Sequence, residues 1–172
     1  MPQENVIDTS QPNAGRIYDY LLGGQRNFEP DRLAAEQILK PLPWLKQLVL
    51  LQRRCLQGLA AELTYKQGFD LIVDFGSGLP TQDHIHKFVK PGTTVIYSDR
   101  DPAVVSYARE ILGATPNVHY LQADARQPEE YLNRRELQEI IGRRRDMAIV
   151  YWGFAAYITD DDIAHAARYL AE

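Results

Sequence analysis

Asp74-Phe75-Gly76-Ser77-Gly78-Leu79-Pro80-Thr81 is the stretch on which the reading of this chain turns. The residues that lead into it, 69–75 (F-D-L-I-V-D-F), are short, β-branched and bounded by glycines, the pattern of a buried strand running into a tight turn. Gly76 and Gly78 can take positive φ and, lacking Cβ, let a ligand approach the backbone; Pro80 and Thr81 suit the first turn of a helix. The next apolar run, 93–98 (T-T-V-I-Y-S), ends at Asp99. That carboxylate stands about 20 residues past the glycines, the spacing at which an acid takes both hydroxyls of a ribose. Loop and carboxylate together predict the nucleotide-binding edge of a parallel α/β sheet. The plainer alternative is a turn that packs a helix on a strand, with Asp99 as a cap.

The loop also bears on which nucleoside it meets. A dinucleotide fingerprint wants a third glycine and free backbone N–H groups to hold a pyrophosphate at a helix N-terminus. Pro80 removes one of those donors, so S-adenosylmethionine fits better than NAD. An NAD-dependent oxidoreductase is a distant rival.

Outward from the loop, strands and helices alternate. Strand patterns at 117–121 and 147–152 follow the first two, with helical stretches after Pro80, at Pro102–Leu112, over 128–141 and after Thr159, an order that predicts a parallel sheet. Asp124 follows the third strand. In a sheet ordered 3-2-1-4 it reaches the same crevice as Asp74 and Asp99, and Asp124 with the Ala125 N–H is placed to read adenine; taken alone, Asp124 reads as a helix N-cap. Residues 13–66 carry helical patterns and no strand signal. After Pro43-Trp44 the apolar positions Leu48, Leu51, Cys55, Leu59 and Leu63 recur at three- and four-residue steps, which predicts a stripe buried on the sheet or over its ligand edge.

Composition bounds the class. The chain has 172 residues, 45% of them apolar, enough for a globular core. A net charge of -4 argues against a nucleic-acid or membrane-surface binder. Arg143-Arg144-Arg145 reads as a solvated loop. The single cysteine, Cys55, excludes an internal disulfide, and the first residues lack the basic-then-apolar pattern of a secretory signal; both favour a cytoplasmic setting. His84-Ile85-His86 would point to opposite sides of a helix, so no metal site is expected. Asp160-Asp161-Asp162 after Thr159 fits a helix N-terminus.

These residues resemble a class I S-adenosylmethionine-dependent methyltransferase, in particular the actinobacterial-type S-adenosyl methyltransferase family long described as a domain of unknown function. The segment Pro12-Asn13-Ala14-Gly15-Arg16-Ile17-Tyr18-Asp19-Tyr20-Leu21-Leu22-Gly23-Gly24-Gln25-Arg26-Asn27-Phe28 is similar to that family's N-terminal signature. Gly-Ser-Gly-Leu-Pro-Thr at 76–81, Tyr97-Ser98-Asp99-Arg100-Asp101-Pro102 and Gln122-Ala123-Asp124 resemble its cofactor motifs.

The resemblance implies a Rossmann-like sheet of order 3-2-1-4, its C-terminal strands missing, under an N-terminal helical cap, with 1–66 as cap and 67–172 as the cofactor-binding half. It implies S-adenosylmethionine as cofactor, with Gly76 and Gly78 against the methionine part, Asp99 on ribose and Asp124 and Ala125 at adenine. Tyr18, Tyr20, Gly24 and Asn27 cover it, and Asp74, Ser77, Arg100 and Trp152 complete the expected cofactor-binding set. Read from its residues alone, the N-terminal segment is a short helix with a Gly-Gly stop and two core tyrosines.

Two departures from the family pattern qualify the activity. Ala156 in Phe154-Ala155-Ala156-Tyr157 stands where the family usually carries a histidine, so no catalytic residue is assigned. The chain also ends before the strands expected to complete the sheet, which predicts an apolar edge at 147–152 covered by a second copy or a partner chain. The expected function is methyl transfer to an unknown small-molecule acceptor; the alternative is a catalytically silent module that binds S-adenosylmethionine or S-adenosylhomocysteine.

Overall fold

The computed structural model describes residues 8–81, 83–144, 146–153 and 158–171. Four parallel strands, β1 (Leu71–Phe75), β2 (Thr94–Asp99), β3 (Val118–Gln122) and β4 (Ala148–Tyr151), form one sheet in the order β3-β2-β1-β4. This is the expected order. The strands are joined by crossovers through helices, because parallel neighbours cannot be joined by hairpins.

Strand alternation divides the core between two faces. Ile72, Val95, Tyr97, Ala148 and Val150 pack with Leu56 and Ala60 of α3 (Leu45–Ala61) and with Val104, Val105, Ala108 and Leu112 of α4 (Pro102–Leu112). Leu71, Val73, Phe75, Ile96 and Leu121 face the other way. They meet Tyr131 of α5 (Pro128–Leu132) and Leu137 and Ile141 of α6 (Arg135–Ile141). Helix α7 (Asp160–Leu170) starts on a capping box in which Thr159 and Asp162 satisfy each other's backbone donors, the helix N-terminus expected of that acidic run. Its His165 Nε2 lies 2.9 Å from Glu129 Oε1 of α5.

The N-terminal region is helical as expected: α1 (Ala14–Leu21), α2 (Glu29–Leu39) and α3, which continues as a wider π turn, Glu62–Lys66. Leu21, Ala35 and Val49 join the first three helices in a small core. A buried ion pair stands beside it. Arg16 Nε is 2.8 Å from Asp31 Oδ2, and Asp31 also accepts from the Asn13 and Phe28 N–H groups, each at 2.8 Å.

Two expectations about this region are corrected. Of the expected stripe, Leu63 packs against the sheet core as expected, but Leu48, Leu51, Cys55 and Leu59 are the exposed side of α3; the buried side is Val49, Arg53, Leu56 and Ala60. Both sets have helical spacing, and the second one wins because it is the set in contact with the sheet and with α1. Nor, among the described residues, does a helix follow Pro80. Thr81 N–H donates to the Leu79 carbonyl and Thr81 Oγ1 to Asp83 Oδ1, local bonds that compete with helix formation, and only a short 3-10 turn, Ile85–Lys87, forms later.

Arg144 is not a solvated loop residue either. It pairs with Asp70 at 3.3 Å and donates to the Ile140 and Ile141 carbonyls and to Thr94 Oγ1, clasping the end of α6 to the sheet. Among the described residues no helix is long and apolar enough to cross a membrane.

Candidate functional site

All four strands point their carboxyl ends the same way, so Asp74, Asp99 and Asp124 come to one edge of the sheet. Between the first two lies the glycine loop. Gly76 and Gly78 both have φ of +64°, the left-handed region that glycine enters without a Cβ penalty. Ser77 pins the loop to β2: its N–H donates to the Ser98 carbonyl at 2.8 Å, and its hydroxyl donates to the Asp74 carbonyl at 2.7 Å and accepts from the Ser98 N–H. Tyr120 adds a fourth tie, its hydroxyl donating to the Gly78 carbonyl at 2.7 Å. The loop is therefore held rigidly with both glycines at the edge.

The two histidines expected to diverge in fact converge. His84 Nδ1 lies 3.0 Å and His86 Nδ1 2.9 Å from the Tyr97 hydroxyl, and the His86 N–H donates to the same oxygen. Burial holds the His84 ring well below its usual titration range, and burial with Lys87 lowers His86 to about 4, so both are neutral at pH 7. They support the loop from beneath. Among the described residues no group of three His, Cys, Asp or Glu could hold a metal ion.

Asp99 ends β2 half-buried. Burial raises its carboxyl above the usual range against the opposing pull of the Asp101, Gly78 and Arg100 N–H groups. Its neighbour Asp101 caps α4 through the Ala103 N–H and accepts from Asn13 Nδ2 at 2.7 Å, so the start of α1 is fastened beside the loop. Arg100 is exposed, and its carbonyl accepts from Gln122. Asp124 pairs with the Arg126 guanidinium, which holds its carboxyl low, while the Ala125 carbonyl accepts from the Tyr151 hydroxyl at 2.9 Å. Trp152 follows β4 on the α3 face, its indole Nε1 buried without a partner among the described residues.

The four N-terminal candidates separate. Tyr18 lies by α3, with the Arg53 guanidinium 5.8 Å from its ring centre. Tyr20 turns outward and donates to Glu36 at 2.7 Å. Gly24 and Asn27 gather around buried Asp19: Asn27 Nδ2 donates to Asp19 Oδ2 and to the Gly24 carbonyl, and a Cβ at Gly24 would lie 2.1 Å from Asp19 Oδ1. Residues 154–157, with the Ala156 departure, lie outside the described residues.

Asp74 is the most perturbed group of the edge. Burial pushes its carboxyl up to about 7, against a hydrogen bond from Ser77 and the Arg53 charge. A folded-state value above the unfolded 3.8 means that the folded protein holds this proton more tightly. The resulting stability is fully present below about pH 4 and is lost as pH rises through 7. Between pH 5 and 8 this one group should cost about 3 kcal/mol of unfolding free energy. Asp74→Asn removes that decline, so urea melts of the two proteins should diverge in pH slope; equal slopes would refute the assignment.

Sequence reasoning missed Arg53. Its signal was present: it falls in register with Val49, Leu56 and Ala60, the apolar set that is buried, and a charge in such a set is either paired or functional.

Comparison with known proteins points one way. The family model described as S-adenosyl methyltransferase matches residues 1–172. A crystal structure of a candidate methyltransferase from Thermobifida fusca YX is 34% identical, with a TM-score of 0.86 over 96% of this chain and 63% of that one. A DUF574 family protein from Streptomyces avermitilis MA-4680 is 29% identical, with a TM-score of 0.84 over 95% of this chain and 65% of that one. The chain thus spans less than two thirds of the length of either structure. No curated protein matches it.

Proposed function

The chain belongs to the S-adenosyl methyltransferase family, and from that membership we propose that it binds S-adenosylmethionine across the carboxyl ends of β1, β2 and β3 and takes part in methyl transfer to a small-molecule acceptor. The observation that carries the choice of cofactor is the form of the loop. Gly76 and Gly78 open the backbone at positive φ, yet among the described residues no helix N-terminus follows to hold a pyrophosphate: residues 79–81 are irregular and a three-residue turn comes after. That supports an adenosyl ligand without phosphates over a dinucleotide.

The buried polar atoms fit such a ligand. Asp74 Oδ2 has no hydrogen-bond partner among the described residues, and it stands beside the glycines. Bound here, the cofactor supplies a methyl group on a positively charged sulfur. The chain's part is alignment and exclusion of water, which govern a displacement of this kind more than acid or base groups do. Asp99 takes the ribose hydroxyls in this reading, Gly76 and Gly78 admit the methionine arm, and Ala125 with Asp124 borders the adenine. The rival reading of a catalytically silent module draws no support from the family match.

Asp99→Ala tests the seat of the ribose. It should weaken S-adenosylhomocysteine binding by about 1.5–3 kcal/mol, the scale of hydrogen bonds to a charged group. Isothermal titration of the folded variant decides it, and an affinity equal to the parent's removes Asp99 from the site.

A further inference from the structure

Among the described residues β4 is the outer strand of the sheet, bonded to β1 on one side only. Its other side carries unpaired N–H and C=O groups. The strand is also apolar on both faces: Ala148 and Val150 point into the α3 layer, Ile149 and Tyr151 into the opposite one. A bare edge of this composition is a template for another strand.

Helix α3 overhangs that edge. Helix α4 touches β2 and β3, so α3 takes the β1–β4 half of the same face, with Leu56 and Ala60 in one cluster with Ile72, Ala148 and Val150. The turn of about 100° per residue gives α3 two different flanks. Gln57 lies on one of them and reaches the Asp83 carbonyl near the glycine loop. Leu48, Cys55 and Leu59 lie on the other, and Leu59 with Leu63 borders a groove along β4. That flank is open: Leu48 is 38% and Leu59 36% exposed, Cys55 is exposed, and Leu51 on its rim is 58% exposed. With Gln52 between them, these positions step by four, three and four, the spacing of a seam between paired helices.

We propose that this face binds a second copy of the chain, β4 pairing antiparallel with β4 of the copy about a two-fold axis normal to the sheet. One rotation closes both contacts. Strands lie about 4.8 Å apart, so helices seated above the two β1–β4 pairs come to stand about two spacings, roughly 10 Å, from each other, the distance at which helices pack. The same rotation reverses α3 about its middle and sets Leu48 opposite Leu59 of the second copy, and Gln52 opposite its Cys55. The stripe is its own complement, as a two-fold contact requires, and this selects a second copy over an unrelated partner. Size agrees. Helix α3 has 17 residues and is about 25 Å long. Taken across helix and sheet the face is about 20 Å deep, and with its side-chain relief it is of the order of the 800 Å² or so that each partner gives to a standard interface.

Sedimentation velocity of the 172-residue chain at tens of micromolar tests the proposal first. A dimer is expected, and a monomer overturns it. Leu48→Glu combined with Leu59→Glu puts carboxylates face to face twice across the axis and should raise the dimer dissociation constant by more than about 100-fold. Hydrogen exchange separates this dimer from any other: the β4 amides that do not serve β1 should be protected in the dimer and exchange freely in the double variant. A dimer that survives the double variant, or one whose outer β4 amides exchange freely, overturns the assignment. Should the double variant fail to fold, the unaltered protein still decides. A short bis-maleimide should join the two Cys55 thiols, which stand beside the axis, and a dimer that gives no such cross-link overturns the geometry.

Discussion

Asp31→Ala is expected to lower the unfolding free energy by about 3–5 kcal/mol, the largest stability change of any single substitution considered. Asp31 is fully buried and serves three donors at once: Arg16 Nε, the Asn13 N–H and the Phe28 N–H. Removing the carboxylate strands a guanidinium that is itself 3% exposed, and it also frees the first turn of α2. The exposed pair Arg135–Glu139 sets the contrast, since breaking it should cost well under about 1 kcal/mol. Urea denaturation of both variants against the parent checks the claim; similar losses at the two sites would mean that water reaches the Arg16–Asp31 pair.

Gly78→Val carries the largest expected effect on binding. Its φ of +64° disfavours a β-branched residue by about 1–2 kcal/mol, but a Cβ there would meet no protein atom within 4 Å, so the fold should survive. The isopropyl group then stands over the carboxyl edge of the sheet, where the cofactor is proposed to lie. We predict that S-adenosylhomocysteine binding falls by more than about 100-fold while far-ultraviolet circular dichroism stays unchanged. A folded Gly78→Val that binds normally would reduce the loop to a turn. Gly24 shows the difference between the two kinds of glycine: there the Cβ would collide with Asp19, and the cost would fall on the fold.

Much of the sheet was readable from local pattern. Each strand appears within a residue or two of its expected place, and alternation of strands with helices gives a parallel sheet; its 3-2-1-4 order is what the family resemblance implies. What could not be read is which side of a helix is buried when apolar residues occupy two sides. In α3 the set Leu48, Leu51, Cys55 and Leu59 and the set Val49, Leu56 and Ala60 differ by one residue in phase, and only contact with the sheet and α1 chooses between them.

Long-range polar pairing was equally hidden. Nothing at Arg16 announces Asp31, fifteen positions on, and nothing at His84 or His86 announces a shared Tyr97 hydroxyl. The candidate site divides along the same line. Residues fixed by strand ends, such as Asp74 and Asp99, were visible, because parallel strands carry them to one edge. Arg53 was not, because its burial depends on how α3 is rotated.

The bond from Asn13 to Asp101 joins residues 88 positions apart, and Gln57 and Thr64 likewise hold Asp83 and Lys90. During synthesis the chain leaves the ribosome from its N-terminus, so α1, α2 and α3 emerge before any of these partners exists. Order of manufacture and order of anchoring are opposite: the helices made first are fastened last, after β2 and the start of α4 have been translated. Until then Leu56 and Ala60 of α3 have no sheet to lie against, and the nascent chain presents them to whatever waits at the tunnel exit.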